Sequence, residues 1–236
     1  KGTEYVDSVF QVVDASGGPN AAWPDSGILL LGGPGTQQIK GLYSDHRGGA
    51  VVWAHLDIPD SSSTRSLRSG DCLMRLTERA SIDSTWGNGG VRVASAPANV
   101  FDSWAIPDGV GGYFVAWSDI RTNPGLNFPW YLDYADIYLE RFSQDGSVAQ
   151  GFPTSGLPVC IASGAQIFPR MAPDGSGGVF VTCGPIGAAG NGTTLQHILG
   201  DGTIAPGWSK DGTLVFGANG YAVRPSIVAD GLGGVF

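Results

Sequence analysis

The sequence is poor in charged residues, and basic residues are the scarcer kind. Charged residues make up 14% of the 236 residues, with 13 Lys and Arg against 21 Asp and Glu and a net charge of −8. Nucleic-acid binding needs clustered cations that neutralise phosphates, and the sequence contains no basic run. We therefore expect no nucleic-acid partner and no electrostatic attraction to anionic membrane surfaces.

Long apolar runs and helical patterns are also absent. No apolar stretch approaches the roughly 20 residues of a membrane-spanning helix, so we expect no membrane insertion. No segment of about 11 residues keeps apolar side chains at helical spacing without an interrupting Gly or Pro. The sequence therefore predicts an all-β chain. Its low charge content is common among secreted proteins, and we expect a secreted or cell-surface location.

Cysteine and histidine are scarce as well. The chain has three of each, with no Cys-x-x-Cys pair and no histidine cluster, so a zinc site has no support. Cys160 and Cys183 lie in neighbouring repeats of the pattern described below, and a disulfide between them is one interpretation. The alternative is that these two and Cys72 are all small buried apolar side chains. The pairing stays open from the sequence.

Glycine is abundant instead, and its 38 residues recur at fixed places. Four ungapped copies of one 40-residue pattern occupy residues 10–49, 73–112, 139–178 and 195–234. Each copy has a large aromatic residue followed four residues later by Gly, and an Asp followed closely by a Gly-Gly pair. The aromatic residues are Trp23, Trp86, Phe152 and Trp208, and the aspartates are Asp45, Asp108, Asp174 and Asp230. This regularity indicates a repeat architecture.

The spacing between copies shows where the repeat varies in length. Successive aromatic landmarks are 63 (86−23), 66 (152−86) and 56 (208−152) residues apart, and the aspartates have the same spacings. All length variation therefore falls in one loop, which follows the strand after the Gly-Gly pair. In repeat proteins such variable loops commonly lie on one face and carry binding.

Each copy predicts four short strands separated by turn residues. In the third copy these strands are residues 136–142, 157–161, 168–172 and 179–183. A Pro-Asp-Gly-Ser-Gly-Gly segment at 173–178 separates the last two strands and is typical of a hairpin. Four antiparallel strands in a unit of about 60 residues favour the blade of a β-propeller.

The blades of this predicted propeller follow from the hairpin positions. Taking the strand before each Asp as the innermost, we expect one domain over 1–236 with whole blades at about 42–94, 104–160 and 168–216. Segments 5–31 and 223–236 make a split or incomplete blade. We expect about four repeats in a closed ring or, because the chain stops within a strand, a piece of a larger propeller. An open strand edge at Phe236 also allows self-association.

Several motifs resemble a known group of proteins. They are the Asp-Gly-x-Gly-Gly hairpins, Val-Ala-Trp-Ser-Asp-Ile-Arg at 115–121 and Asp-Ile-Tyr-Leu-Glu-Arg at 136–141. The chain resembles the repeats of large secreted bacterial proteins that are read as β-propellers and often carry C-terminal secretion or sorting domains. The resemblance implies an extracellular or cell-surface module. It implies no catalytic residues and no substrate.

Two repeated positions allow a functional and a structural interpretation. The recurring aromatic residue can serve as a ligand-stacking platform, but a position that is aromatic in every copy is better explained by packing. The hairpin aspartates can ligate calcium, which needs six to eight oxygens. An Asx-type turn explains them more simply, and no other cofactor is indicated.

The variable loop at residues 118–134 is the strongest functional candidate. It combines aromatic side chains with amides and charges, which suits a protein or glycan partner at a cell surface. The predicted ligand-binding residues are Asp119, Arg121, Asn127, Phe128, Trp130, Tyr131 and Tyr134. The alternative is that the loop folds over its own blade and buries these aromatic residues. A sequon at Asn191 can carry a glycan if the source adds one.

The sequence favours a secreted, non-enzymatic binding or structural module. No pair of carboxylates and no nucleophile with its base is singled out, so enzymatic activity is not indicated. One alternative is an extracellular glycan-degrading hydrolase whose carboxylates come from the loops at 57–69 and 118–134. Another is a subunit of an extracellular filament or larger surface complex, in which a neighbour's strand completes the edge at Phe236.

Overall fold

The computed structural model describes residues 8–31, 36–59, 67–87, 89–94, 100–122, 134–162, 164–186, 192–216 and 225–236. These residues form fourteen β-strands and one short 3-10 helix, and no α-helix occurs among them. Over the same ranges, no helix is long and apolar enough to cross a bilayer. The chain divides into two compact units, Lys1–Val93 and Ala94–Phe236. The all-β prediction is confirmed, whereas the propeller arrangement stays a prediction.

The first unit contains a two-stranded and a four-stranded antiparallel sheet. The smaller sheet pairs β1 (Ser8–Phe10) with β2 (Ile28–Leu31). The larger has, in chain order, β3 (Thr36–Ser44), β4 (Ala50–Pro59), β5 (Leu67–Leu76) and β6 (Val91–Arg92). A 3-10 helix, Ser84–Trp86, lies between β5 and β6. The core joins the hairpin residues Trp23 and Leu30 to Val52, Ala54 and Met74 of the larger sheet.

The second unit contains two four-stranded antiparallel sheets, each formed by consecutive strands. The first has β7 (Phe101–Pro107), β8 (Tyr113–Asp119), β9 (Asp136–Phe142) and β10 (Leu157–Cys160). The other has β11 (Ala165–Pro173), β12 (Val179–Ile186), β13 (Thr194–Ile198) and β14 (Thr213–Leu214). Tight hairpins explain the β7–β8 and β11–β12 pairs, because they join neighbouring antiparallel strands.

The two sheets of the second unit pack against each other through a shared core. Strand β11 lies against β7, β8 and β9. Phe114, Ala116 and Leu139 of one sheet and Val179 and Val181 of the other are fully buried in this core. Strand β8 is buried along its whole length, as the apolar sequence of 113–117 predicts for a strand covered on both faces.

A disulfide also joins these two sheets. Cys160 at the end of β10 is bonded to Cys183 in β12, with Cα atoms 6.4 Å apart and 23 residues of separation. Cys72 is buried in the first unit and is a free thiol. Of the two interpretations that the sequence left open, pairing is therefore correct for Cys160 and Cys183. A loop of this length stabilises the folded state by about 3 kcal/mol through the unfolded chain.

The hairpin aspartates form Asx-type turns in all four copies. In each, Oδ1 accepts hydrogen bonds of 2.7–2.9 Å from the backbone N–H groups two and four residues later. The Gly-Gly pair fits this turn closely. Gly111 has a φ of +105°, and a Cβ at Gly112 would lie 2.4 Å from the Phe142 carbonyl oxygen. The turn interpretation of these aspartates is therefore confirmed.

The second carboxylate oxygen of three of these aspartates binds a basic side chain of the sheet's third strand. Arg75 binds Asp45 with Nη2–Oδ2 of 2.6 Å, and Arg141 binds Asp108 at 2.7 Å. His197 lies 3.0 Å from the carboxylate of Asp174. Each pair therefore links the turn between the first two strands of a sheet to the third strand of that sheet.

The recurring aromatic position is a packing position in three copies. Trp23, Trp86 and Phe152 are buried, and Trp208 is half-buried. Phe152 packs edge-on against Phe114 with ring centroids 6.0 Å apart. This confirms the packing interpretation for the three buried residues.

Candidate functional site

The structure describes both ends of the predicted binding loop at 118–134. Asp119 is the last residue of β8, Arg121 follows it, and Tyr134 precedes β9 with a side chain that is 52% exposed. Four predicted site residues and the sequon lie outside the described residues, namely Asn127, Phe128, Trp130, Tyr131 and Asn191. The described part of the candidate site therefore consists of the residues at the two ends of the loop.

Asp119 is fully buried and holds the first loop end through both carboxylate oxygens. Oδ1 accepts the backbone N–H of Arg121 at 2.8 Å. Oδ2 accepts the indole Nε1–H of Trp117 at 3.2 Å and the Nε–H of Arg121 at 2.8 Å. The Trp-x-Asp-x-Arg motif is therefore a local clamp in which one carboxylate holds an indole, a guanidinium and a backbone amide.

Arg121 extends this clamp to β9 and to the segment before β10. Its Cζ lies 3.8 Å from the ring centroid of Tyr138, and Nη1 donates to the Ser155 carbonyl at 2.6 Å. Trp117 stacks on the same Tyr138 with ring centroids 6.2 Å apart. We refer to Trp117, Asp119, Arg121, Tyr138 and Ser155 as the Asp119 clamp.

A glycine makes room for the Asp119 clamp. Gly156 has a φ of +87°, and a Cβ there would lie 2.4 Å from the ring of Trp117. This glycine is the one that follows the recurring aromatic residue in the third copy. The close approach gives a local packing reason for glycine at that position.

Three polar side chains of β9 share one face of the sheet. Asp136, Tyr138 and Glu140 alternate along the strand, and Asp136 lies opposite Asp119 while Tyr138 lies opposite Trp117. Two carboxylates therefore stand directly across from each other at the base of the loop. Like charges at such positions destabilise a strand pair unless one is protonated or paired.

Burial and charge raise the pKa of two of these carboxyl groups. Burial and then the neighbouring Asp119 carboxylate raise the pKa of Asp136 to about 6, against hydrogen bonding from Thr122 and the charge of Arg121. Burial raises the pKa of Glu140 to about 7, although its carboxylate accepts the Ala94 N–H at 3.0 Å. Perturbed carboxyl groups of this kind occur at functional sites and also in structural networks.

The geometry favours a structural network over a catalytic pair. A glycosidase needs one carboxylic acid and one carboxylate that both reach the substrate. Asp119 is fully buried, and both its oxygens are occupied by Trp117 and Arg121. No group of three or more potential metal ligands occurs within the described part of the chain. The arrangement can hold the two loop ends in place, and we derive no reaction from it.

The first unit holds a second buried carboxylate that sequence reasoning did not find. Asp71 on β5 lies 3.2 Å from the indole Nε1 of Trp53, 3.1 Å from Nζ of Lys40 and 2.6 Å from Nδ1 of His55. We call these four residues the Asp71 cluster. They come from three strands and are up to 31 residues apart, so no local motif marks them.

Comparison with known proteins assigns no family. No family model matches the chain, and no curated protein matches it in sequence.

Proposed function

We propose that the chain is an extracytoplasmic, non-enzymatic binding module that recognises glycans through the loop at 118–134. In this proposal the β-sheets are a rigid support, and the loop supplies aromatic and amide side chains for sugar stacking and hydrogen bonding. The observation that carries the proposal is the Asp119 clamp. Binding loops are typically mounted on rigid elements, because ordering a loose loop reduces affinity.

The clamp holds the end of the loop that follows β8 and links it to β9. Asp119 and Arg121 hold the chain where the loop leaves β8, and the Arg121 guanidinium lies on Tyr138, the third residue of β9. Tyr134 is exposed next to this base, so an aromatic ring is available for contact with a ligand. Aromatic side chains with few rotatable bonds are common anchors in binding sites.

Covalent chemistry and composition support the proposed location. The Cys160–Cys183 disulfide is of the kind that persists in oxidising compartments and is rare in the cytosol. The low content of charged residues agrees with the same location. We therefore propose secretion or display at a cell surface.

The packing of the second unit supports a propeller arrangement. Two four-stranded antiparallel sheets of consecutive strands pack face to face there, as neighbouring blades do in a propeller. The loop after β8 and the loop after β12 leave equivalent ends of equivalent strands. Both features agree with blades that present their variable loops on one rim.

The glycan proposal is tested by removing aromatic residues of the loop. The folded chain is applied to an array of bacterial and plant polysaccharides, and the affinity of any glycan that binds is measured by calorimetry. We expect Trp130→Ala and Tyr134→Ala each to weaken binding about tenfold or more, as for anchor residues of other interfaces.

An exposed aromatic residue elsewhere provides the matched control. Phe216 is 61% exposed and lies outside the loop, so Phe216→Ala should leave the affinity unchanged. The proposal is wrong if the parent chain binds no glycan. It is also wrong if the two loop variants bind as tightly as the Phe216→Ala control.

A further inference from the structure

Glu140 occupies a repeat position that carries an amide in two other copies. It is the second residue of the third copy, and its equivalents are Gln11, Met74 and Gln196. Glu140 is 1% exposed, and its partners across the sheet, Val115 and then Ala105, are fully buried. A carboxyl group therefore stands where the chain otherwise places a neutral side chain.

The two glutamines make the same hydrogen bond. Gln11 Nε2 donates to the Pro24 carbonyl at 2.8 Å, and Gln196 Nε2 donates to the equivalent Ser209 carbonyl at 2.9 Å. Each carbonyl also accepts the backbone N–H of the following turn glycine, Gly27 or Gly212. The amide thus ties the strand to the loop that follows the recurring aromatic residue.

Glu140 does not make this bond. The equivalent carbonyl is that of Pro153, which accepts the Gly156 N–H at 2.8 Å and has no second donor within the described residues. The Glu140 carboxylate accepts the backbone N–H of Ala94 instead, at 3.0 Å. An ionised carboxylate cannot donate a hydrogen bond, whereas a protonated carboxyl has an O–H that can replace the amide N–H.

Ala94 is held in a conformation that its residue type disfavours. It is buried and has a φ of +58°, in the left-handed region that is sterically unfavourable for an L-residue. The carboxylate of Glu140 is the acceptor for its amide. Losing this acceptor removes a contact that supports the strained backbone.

We propose that Glu140 is a proton-controlled switch between two hydrogen bonds. When ionised, it holds the Ala94 N–H. When protonated, its O–H donates to the Pro153 carbonyl as the glutamine amides do in their copies, and the neutral carboxyl group accepts the Ala94 N–H only weakly. One proton then determines how firmly residue 94, where the second unit begins, is fixed to the sheet.

The charged surroundings determine the pH at which the switch operates. The groups on the same sheet face are Asp136 and Tyr138 on β9 and Asp119 on β8, with Arg121 after β8. Burial outweighs the Arg121 charge and raises the pKa of Glu140 to about 7. The charge-assisted bond to Ala94 is therefore formed above about pH 7 and weakens as the pH falls below it.

The stability of the fold changes with pH in the opposite direction to the Ala94 hydrogen bond. Because the folded state keeps the Glu140 proton more strongly than the unfolded state, this group favours folding at low pH. That contribution is lost as the pH rises from about 4.5 to about 7. The protein with ionised Glu140 is thus less stable overall, yet it holds residue 94 more firmly.

The test measures amide exchange of Ala94 by NMR at pH 6 and pH 8, corrected for intrinsic exchange. In the parent chain we expect protection of this amide to fall about tenfold from pH 8 to pH 6. Glu140→Gln and Glu140→Met should show low protection at both pH values. Both residues occur at this position in other copies, so we expect the variants to fold.

Two matched controls identify the titrating group. Glu78→Gln removes an exposed glutamate, and Asp136→Asn removes the other carboxyl group with a raised pKa on the same strand. Both should keep the pH-dependent protection of Ala94. Constant protection in the parent chain, or an unchanged pH effect in Glu140→Gln, overturns the proposal. So does loss of the effect in either control.

A second measurement does not depend on any variant. The side-chain carboxyl carbon of Glu140 in the parent chain should titrate with a midpoint near pH 7 in a 13C NMR experiment. A midpoint near the ordinary glutamate value of about 4.3 also overturns the proposal.

Discussion

The two units of the chain each bury a carboxylate that binds a tryptophan indole, but they build the site differently. In the second unit, the groups that bind the carboxylate of the Asp119 clamp belong to Trp117 and Arg121, within two residues of Asp119 in sequence. In the first unit, the Asp71 cluster brings its indole, ammonium and imidazole groups from separate strand positions. The same requirement of pairing a buried charge is thus met once locally and once through the sheet.

The residues across the strand from the two carboxylates also differ. Asp71 lies opposite His55, and Asp119 lies opposite Asp136. His55 adds a cation to its cluster whenever the imidazole is protonated, whereas Asp136 adds a competing negative charge whenever it is ionised. The two buried carboxylates therefore face different groups across the strand, an imidazole in the first unit and a second carboxyl group in the other.

The largest difference should appear when each carboxylate is removed. Asp119→Ala leaves the Arg121 guanidinium held by Ser155 and Tyr138 without its counter-ion, and we expect a loss of about 4 kcal/mol in the second unit. Asp71→Ala should cost about 2 kcal/mol in the first unit. The Lys40, His55 and Arg121 side chains are similarly exposed, at 21%, 22% and 21%, but Lys40 carries its charge on a flexible chain, whereas the Arg121 guanidinium is held by Ser155 and Tyr138.

Urea unfolding followed by amide exchange in each unit measures both losses. Asp25→Ala is the control, because Asp25 is exposed, and it should change stability by no more than a few tenths of a kcal/mol. Equal losses for Asp71→Ala and Asp119→Ala would remove the distinction between the two sites.

The disulfide provides the next largest contrast between the units. Replacing Cys160 and Cys183 together by Ala should destabilise the second unit by about 3 kcal/mol, because the unfolded chain gains freedom. Dithiothreitol should have a similar effect on the parent chain and should leave the first unit unchanged, since its cysteine, Cys72, is a free thiol. Thermal unfolding with and without reductant tests this, and equal destabilisation of both units would contradict it.

A smaller effect distinguishes hairpins within the second unit. Asp108→Asn keeps the turn acceptor but loses the charged contact with Arg141, so we expect a cost of about 2 kcal/mol. Asp230 binds only backbone amides among the described residues, and Asp230→Asn should cost a few tenths of a kcal/mol. Denaturation midpoints of the two variants provide the comparison, and a similar cost for both would show that Arg141 contributes little.

The smallest effect concerns the pair Asp119 and Asp136. Because the Asp119 charge helps to raise the pKa of Asp136 to about 6, Asp119→Asn should lower that pKa. In the parent chain the raised pKa means that Asp136 favours folding at low pH, a contribution lost as the pH rises from about 4 to about 6. A 13C titration of the Asp136 carboxyl in both chains measures the shift, and an unchanged pKa would contradict the proposed coupling.

Strands and turns could be predicted from the sequence because their signals are local. The strand predicted at 136–142 is observed as Asp136–Phe142, and 179–183 lies within β12. The Asp and Gly-Gly pattern marked the hairpins for the same reason, since the side chain binds its own turn. The alternation of apolar and polar side chains in a strand, and the Asp and Gly residues of a turn, involve neighbours only a few residues apart. One copy of the repeat therefore suffices to show them.

Sites that depend on distant residues could not be predicted in the same way. Asp119 and Arg121 were predicted to bind a ligand, which stays a prediction, but their contacts with Trp117 and Tyr138 at the end of β8 were not predicted. The Asp71 cluster and the Glu140–Ala94 contact carry no sequence signal of their own. The sequence did mark the position of Glu140, where a glutamate replaces the glutamines of two other copies, but it did not indicate Ala94 as the partner.

The measurement that most directly tests the rigid base of the loop is amide hydrogen exchange at Arg121. Its N–H donates to the buried Oδ1 of Asp119 at 2.8 Å, although it lies outside any strand. We predict that it exchanges as slowly as amides within β8, and that Asp119→Ala removes this protection. An Arg121 amide that exchanges freely in the parent chain would contradict the clamp, and with it the support on which the proposed binding loop depends.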